Sequence, residues 1–287
     1  MSLSSSQVLR SVADLYAAIR DVNPLVVQLT NFVVANDQAN LTLALGASPI
    51  MSFSPEEQLD LGRITGALLV NIGTVSDIQS KTALLAGKAV NERHRPVILD
   101  PVGVGASSYR HQVVQELLAE WRPSIITGNA AEIAHIYGLT GLGRGVDSQQ
   151  EHSDPARLVR DLALRERCVV VLHGATDWLS DGETVVKLSN GHVRLTTITG
   201  TGCSTGSAIA AFSAVATPPE AKEINLHDLL VASIAGVLAT SIAGEIAAEN
   251  SPNSGPASFR VAWIDAVSTL NPEIISERAR IQVVSVV

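Results

Sequence analysis

The sequence predicts an α/β fold with a mainly parallel central sheet, helices on both faces and some antiparallel edge strands. Three observations carry that expectation. Short apolar runs alternate with helix-length segments between residues 26 and 172. The runs are largely apolar instead of alternating with polar residues, as in strands covered on both faces. After residue 169 the spacing shortens and turn dipeptides appear, as in hairpins.

The candidate strands are 26–29, 49–51, 67–70, 97–99, 124–126 and 169–172. Between them lie helix starts. Thr30 is placed to cap a helix through Leu45, with Gly46 as its stop. Ser54-Pro55-Glu56-Glu57 reads as a capping box with proline at the first helical position. Ser76-Asp77-Ile78-Gln79 repeats the box before a helix to about Asn91, and Asp154-Pro155 opens another. This alternation implies βαβ units.

Beyond that point, residues 176–180 and 183–188 read as antiparallel strands, with Asp181-Gly182 and Asn190-Gly191 as hairpin turns. A glycine-rich turn at residue 200 enters a helix to about Val215. Asn225 caps an expected helix over 226–248, residues 251–256 form a loop, and a further helix covers 259–270. The tail, 281–287, reads as an edge strand. No linker-like stretch divides the chain, so residues 1–287 are expected to form a single domain.

Composition narrows the function. The chain is 46% hydrophobic and 17% charged, which fits a large buried core. A net charge of −8 without any basic run argues against a nucleic-acid partner. The uncharged stretch 229–244 is shorter than the ~20 residues that span a bilayer and contains Ser233, Gly236, Thr240 and Ser241. A buried helix, with no membrane partner, is the expectation. Two cysteines, Cys168 and Cys203, form no disulfide framework and point to a reduced, cytoplasmic setting. The start lacks the apolar core of a signal peptide.

Open parallel sheets bind ligands beyond the carboxyl ends of their strands. Polar residues directly after apolar runs are therefore the first candidates. Asp100 follows 97–99, and Asn129 and Glu132 follow 124–126. Two carboxylates at adjacent strand ends suit Mg²⁺ bound through water. Each residue has a structural alternative: Asp100 as a turn residue before Pro101, Glu132 as a first-turn glutamate favoured by the helix dipole.

The strongest local signal is Thr199-Gly200-Thr201-Gly202-Cys203-Ser204-Thr205-Gly206. Glycines let backbone approach an anion, and the helix that follows presents its positive end. Gly200 and Gly202 would then stabilise charge on a transferred phosphoryl group. The same residues also suit a tight strand-to-helix turn. Cys203, in the first helical turn, is placed for a lowered thiol pKa and for a role as base or positioning group. A small buried residue that simply fits is its alternative. His173 follows an apolar run and is either a ligand contact or a structural histidine.

Several segments, in this order, resemble the hydroxyethylthiazole kinase family. They are TNFVVANDQAN (30–40), ALGASPIM (44–51), LVNIGT (69–74), AGKAVNE (86–92), VILDPVGVGAS (97–107), TGNAAEI (127–133), GVDS (145–148), SDGE (180–183), NGH (190–192) and ITGTGCS (198–204). The similarity runs from about residue 23 to residue 215. It implies a ribokinase-like fold and a homotrimer with thiazole sites between neighbouring subunits. It also implies ATP-dependent phosphorylation of 4-methyl-5-(2-hydroxyethyl)thiazole, with Mg²⁺ as cofactor.

By matched position, Asn31, Met51 and Gly200 would line the thiazole site. Asn129, Thr127, His173 and Thr199 would face the nucleotide, and Asp100 and Glu132 the metal. Cys203 stands where the wider superfamily carries a catalytic aspartate. Two positions depart from the family pattern. Thr127 replaces a common arginine or lysine, and His173 replaces threonine or serine. Losing a cation beside a triphosphate removes charge-assisted hydrogen bonds. The departures predict weaker nucleotide binding, or compensation by His173 or another basic residue. Rival readings are a kinase for another vitamin or pyrimidine alcohol, a nucleotide-hydrate dehydratase of the same fold, and a thiazole-binding protein that uses no nucleotide. Dehydratases usually carry aspartate at the position of Cys203, which counts against the second.

Overall fold

The computed structural model describes residues 4–140 and 154–286. The matched segment 145–148 lies outside the described residues. Nine strands form one sheet in the order β2-β1-β3-β4-β5-β6-β7-β8-β9. The first six are β1 (Leu25–Leu29), β2 (Ser48–Met51), β3 (Ala67–Asn71), β4 (Val97–Asp100), β5 (Ile125–Asn129) and β6 (Val169–His173). They pair in parallel. The last three, β7 (Asp177–Ser180), β8 (Val185–Leu188) and β9 (Ile281–Val284), pair antiparallel.

Alternate residues of each strand enter different cores. Val26, Leu69, Ile98, Ile125 and Val171 pack on one face. Val27, Leu68, Leu99, Ile126 and Val170 pack on the other. That two-sided burial is why the strands read as continuous apolar runs. The first face is covered by α1 (Ser5–Val22), α8 (Thr201–Ala216), α9 (Leu226–Asn250) and α10 (Pro256–Thr269). The second is covered by α4 (Asp77–Asn91), α5 (Ser108–Glu120), α6 (Ala130–Thr140) and α7 (Pro155–Glu166). Three further helices complete the described α-elements: α2 (Ala35–Leu45), α3 (Gln58–Ile64) and α11 (Pro272–Arg278).

The long apolar helix α9 is 25 residues, enough by length and composition to cross a membrane, yet 89% of its apolar window is buried inside the protein. Asn225 caps it by accepting from the N–H groups of His227 and Asp228. Asp154 likewise caps α7 through the Ala156 N–H, and Ser76 caps α4 through Gln79.

Three local expectations change. Thr30 does not cap α2, because its hydroxyl donates to Gln38 Oε1 at 2.6 Å and Val34 occupies the cap position. At Ser54 the hydroxyl donates to Glu56 and caps no backbone amide, and Pro55–Glu57 closes as a 3₁₀ turn before α3. Asn190-Gly191 is no hairpin. Glu245 on α9 accepts from both the Asn190 side chain and the Gly191 N–H. The chain then enters a 3₁₀ helix, Val193–Thr197, and β8 finds its second partner in β9.

Candidate active site

The parallel strands deliver polar residues to one rim. In register, Asn71 at the end of β3 lies beside Asp100 at the end of β4, and Asn129 of β5 lies beside His173 of β6. Asn31 follows β1 in the same rim. These residues form a connected set. Asn31 Nδ2 donates to Asn71 Oδ1 at 2.9 Å, and Asn71 Nδ2 donates to Asp100 Oδ2 at 2.5 Å. Asn31 Nδ2 also reaches Cys203 Sγ at 3.6 Å, and Cys203 lies near enough to Asp100 for each to shift the other's pKa.

Asp100 is buried. Burial first, and the charge of Glu132 second, push its carboxyl up to about 7. His173, Asn71 and Cys203 act in the opposite direction. Glu132 is held by two amides: Oε1 accepts from the Gly103 N–H at 2.8 Å and Oε2 from the Asn129 N–H at 2.9 Å. Asn129 Oδ1 in turn accepts from the N–H of Glu132. The pair is a reciprocal capping box at the start of α6. The structural and functional readings of Glu132 therefore hold together: the cap fixes the carboxylate whose charge Asp100 feels.

Helix α8 points its N-terminus into the same rim. Gly200 has φ +84°, and a Cβ there would meet Val34 Cγ1 at 2.0 Å, so only glycine fits. At Gly202 a Cβ would meet nothing within 4 Å, which leaves its backbone open to the cleft. Thr199 is exposed just ahead of the helix. Cys203 departs from expectation. The helix dipole favours a thiolate, but burial outweighs it, and Asp100 adds a like charge; together they push the thiol up to about 12. The resting group is a neutral thiol.

A cleft of about 570 Å³ opens beside this helix end, lined by His173, Asp177, Asn190, His192, Thr201 and Gly202, among others. Thr127 and His173 touch one another: Thr127 Oγ1 lies 2.7 Å from His173 Nε2. On its other side His173 Nδ1 lies 3.4 Å from Asp177 Oδ1. Met51 stands apart. It ends β2 opposite Gln28 and takes no part in this hydrogen-bonded set.

Residue-by-residue reading of the sequence passed over Asn71, Gln38 and Asp177. Asn71 directly follows the run 67–70, so the rule that selected Asp100 also selects it. Gln38 is fully buried and donates to the Cys203 carbonyl at 2.7 Å, tying α2 to α8. Nothing local in the sequence marks that contact, because it joins residues 165 positions apart.

A sequence model described as the Hydroxyethylthiazole kinase family matches residues 16–273. A curated hydroxyethylthiazole kinase of Desulfatibacillum aliphaticivorans is 42% identical over 267 residues, covering 93% of this chain and 95% of the relative. The solved hydroxyethylthiazole kinase of Pyrococcus horikoshii OT3 superposes with a TM-score of 0.83 at 32% identity, covering 96% of this chain and 100% of that one. A ribokinase-like superfamily protein of Enterococcus faecalis V583 shares the fold, with a TM-score of 0.57 at 14% identity over 85% of this chain and 86% of that one.

Proposed function

The chain belongs to the hydroxyethylthiazole kinase family, and we propose that it transfers the γ-phosphoryl group of ATP to the hydroxyl of 4-methyl-5-(2-hydroxyethyl)thiazole in thiamine salvage. The observation that carries this reading is the convergence of Asp100, Glu132 and Cys203 at the mouth of α8. The three come from residues far apart in sequence and meet where a parallel sheet binds ligands.

The nucleotide lies in the cleft beside α8, with Thr127, Asn129, His173 and Thr199 on its phosphate side. Thr127 and His173 share one hydrogen bond, so a phosphate oxygen entering there finds one free donor, the Thr127 hydroxyl, when His173 Nε2 carries the proton. Asn31, Met51 and Gly200 serve the thiazole.

Asp100 and Glu132 fit Mg²⁺ held through water. Burial first, and repulsion from Glu132 second, raise the Asp100 pKa, and a divalent cation relieves that repulsion while each carboxylate keeps lone pairs free. Bound there, the metal would supply charge neutralisation to the phosphates. The protein's own part is positioning. Backbone amides at Gly200–Gly202 and the dipole of α8 face the developing charge. Cys203 meets the acceptor hydroxyl as a neutral thiol, with Asn31 and Asn71 fixing its place.

The assembly we propose is a homotrimer. The exposed pair Phe32 and Val33, 70% and 64% accessible, sits directly beside Asn31 and supports a subunit contact at the site. We also read the chain as one domain working in a reducing cytoplasm, in keeping with its two free cysteines.

A substrate panel tests the activity. ADP release is followed with the hydroxyethylthiazole, with pyridoxal and with a hydroxymethylpyrimidine as acceptors, each with Mg·ATP. The thiazole alcohol is expected to give the highest kcat/KM. A preference for either other alcohol would move the assignment to a different vitamin kinase. Thiazole binding without ADP release would replace it with a binding protein.

A further inference from the structure

Arg110 lies on α5, outside the set of groups that meet ligands, and its guanidinium turns back toward the site loops. It donates to three backbone carbonyls. Nη1 bonds the Ile72 and Val102 oxygens, each at 2.7 Å, and Nη2 bonds the Gly73 oxygen at 2.7 Å. Ile72 and Gly73 follow β3, and Val102 follows β4. Among the described residues no carboxylate pairs with this half-buried cation, so its charge is spent on the carbonyls.

Two of those carbonyls belong to peptide units that do site work from their other end. The carbonyl of Val102 and the N–H of Gly103 share one rigid plane, and that N–H donates to Glu132 Oε1 at 2.8 Å. The carbonyl of Ile72 and the N–H of Gly73 share another, and that N–H donates to Asn71 Oδ1 at 2.9 Å. Asn71 is the link between Asn31 and Asp100. One guanidinium nitrogen thus grips the carbonyl ends of two planes whose amide ends hold Glu132 and Asn71. Gripping the carbonyl fixes the plane's rotation. A cation there also polarises the unit and strengthens the opposite N–H as a donor.

The glycines agree with this arrangement. Gly103 has φ +67°, which permits its plane to face Glu132. At Gly73 a Cβ would meet Asn31 Nδ2 at 2.8 Å, so that backbone is pressed against the site asparagine.

We infer that Arg110 is a positioning residue for phosphoryl transfer, setting Glu132 and the Asn31–Asn71–Asp100 chain through two shared peptide planes. The inference rests on the kinase reading above for its effect on rate, but its geometric part stands separately. A lysine keeps the charge and three donors but gathers them on one atom, so it does not reproduce the two-nitrogen geometry that meets these carbonyls.

The test compares wild type with Arg110→Lys and Arg110→Gln as full-length protein. Four quantities are measured: melting temperature, kcat with KM for the alcohol, the Mg²⁺ concentration giving half-maximal rate, and the rate of Cys203 alkylation by iodoacetamide without ligands. Cys168 is fully buried, so Cys203 is the thiol that reports. Arg110→Lys is expected to melt near wild type and to lose about tenfold or more in kcat, since small displacements of reacting groups cost up to about 100-fold. KM for the alcohol stays within about twofold, as for loss of an interaction made in the transition state. The Mg²⁺ requirement rises and Cys203 alkylates several-fold faster, on the order of the loosening expected when a supporting shell is removed. Arg110→Gln follows the same pattern more strongly. Wild-type values of kcat, Mg²⁺ requirement and alkylation in variants that melt normally overturn the inference. So does a loss of rate that appears only with collapse of the melting temperature. If wild type itself transfers no phosphate, the kinase reading fails, and an unchanged alkylation rate in the variants then refutes the positioning role on its own.

Discussion

A carboxyl group pushed up to about 7 keeps its proton far longer on folding than in the unfolded chain, where it ionises near 3.8. For Asp100 the folded protein therefore binds the extra proton between those two values. By linkage, the stability of the ligand-free protein falls as pH rises through that window, and the full penalty is present above it. Asp100→Asn removes the penalty. We expect the metal-free variant to melt several degrees above wild type at pH 8 and close to it at pH 4, by differential scanning calorimetry. The shift corresponds to a few kcal/mol, about 1.4 per pKa unit. The same substitution is expected to lower kcat by about 100-fold or more, the trade of stability for function seen at strained sites. Cys203 makes the opposite kind of prediction. A thiol pushed up to about 12 does not start the reaction as a thiolate. Cys203→Ala should therefore cost about tenfold in kcat, within the range for a group that orients a reactant, and leave the shape of the pH–rate profile between 6 and 9 unchanged. Loss in the variant of a rise in rate with increasing pH that wild type shows would restore the thiolate as base. These residue positions were partly legible in advance. Asp100 and Glu132 stood out as polar residues after apolar runs, and Cys203 as a thiol in the first turn after a glycine-rich segment. Asn71 obeyed the same rule. Arg110 and Gln38 did not, because their partners are backbone carbonyls, which no side-chain pattern marks, and most of them lie far away in sequence.

The start of α8 separates two glycines that look alike in sequence. Gly200 needs its positive φ and would drive a methyl group into Val34, whereas Gly202 has open space. Gly200→Ala is expected to lower stability by about 3 kcal/mol or more, from overpacking and strain at a left-handed position, measured by urea unfolding. Gly202→Val is expected to fold with little change in stability beyond its helix propensity, about 0.5 kcal/mol. It should still lower turnover sharply, because its side chain enters the cleft. Equal turnover in Gly202→Val and wild type would count against an anion site at this helix end. Elements with strong local punctuation were readable: Asn225 before α9, Asp154 before α7, and the Asp181-Gly182 turn between β7 and β8. Two helices were missed although each carries a serine cap, Ser4 with a full capping box and Ser107. α1 carries Val8, Val12, Tyr16 and Ile19 on one face, but its start at Ser4 lies in a serine-rich stretch that reads as a tail. α5 has only a weak apolar face, with Val113, Val114 and Leu117 inward, so periodicity did not announce it. The Asn190-Gly191 pair misled because its turn chemistry serves Glu245 instead of a hairpin.

At the scale of the molecule, the sheet explains why distant segments share one site. Six parallel strands point their carboxyl ends the same way, and three antiparallel strands extend one edge. The alternation of runs and helices predicted that arrangement, since a parallel pair requires a covering crossover. What it could not predict is the assembly. With Phe32 and Val33 exposed beside Asn31, a trimer of three times the 30.1 kDa chain is expected by sedimentation equilibrium. Phe32→Glu should shift the mass toward monomer and lower turnover with it; a variant that is monomeric yet fully active would place the whole thiazole site within one chain. The central claim is that the strand-end acids and the mouth of α8 surround one alcohol and one triphosphate. Phosphorus-31 NMR of wild type and Asp100→Asn with Mg·ATP and the hydroxyethylthiazole tests it most directly. Wild type should convert the γ-phosphate resonance into a phosphomonoester while ADP accumulates, and Asp100→Asn should do so at least about 100-fold more slowly. No phosphomonoester from wild type, or equal rates in the two proteins, would contradict the account.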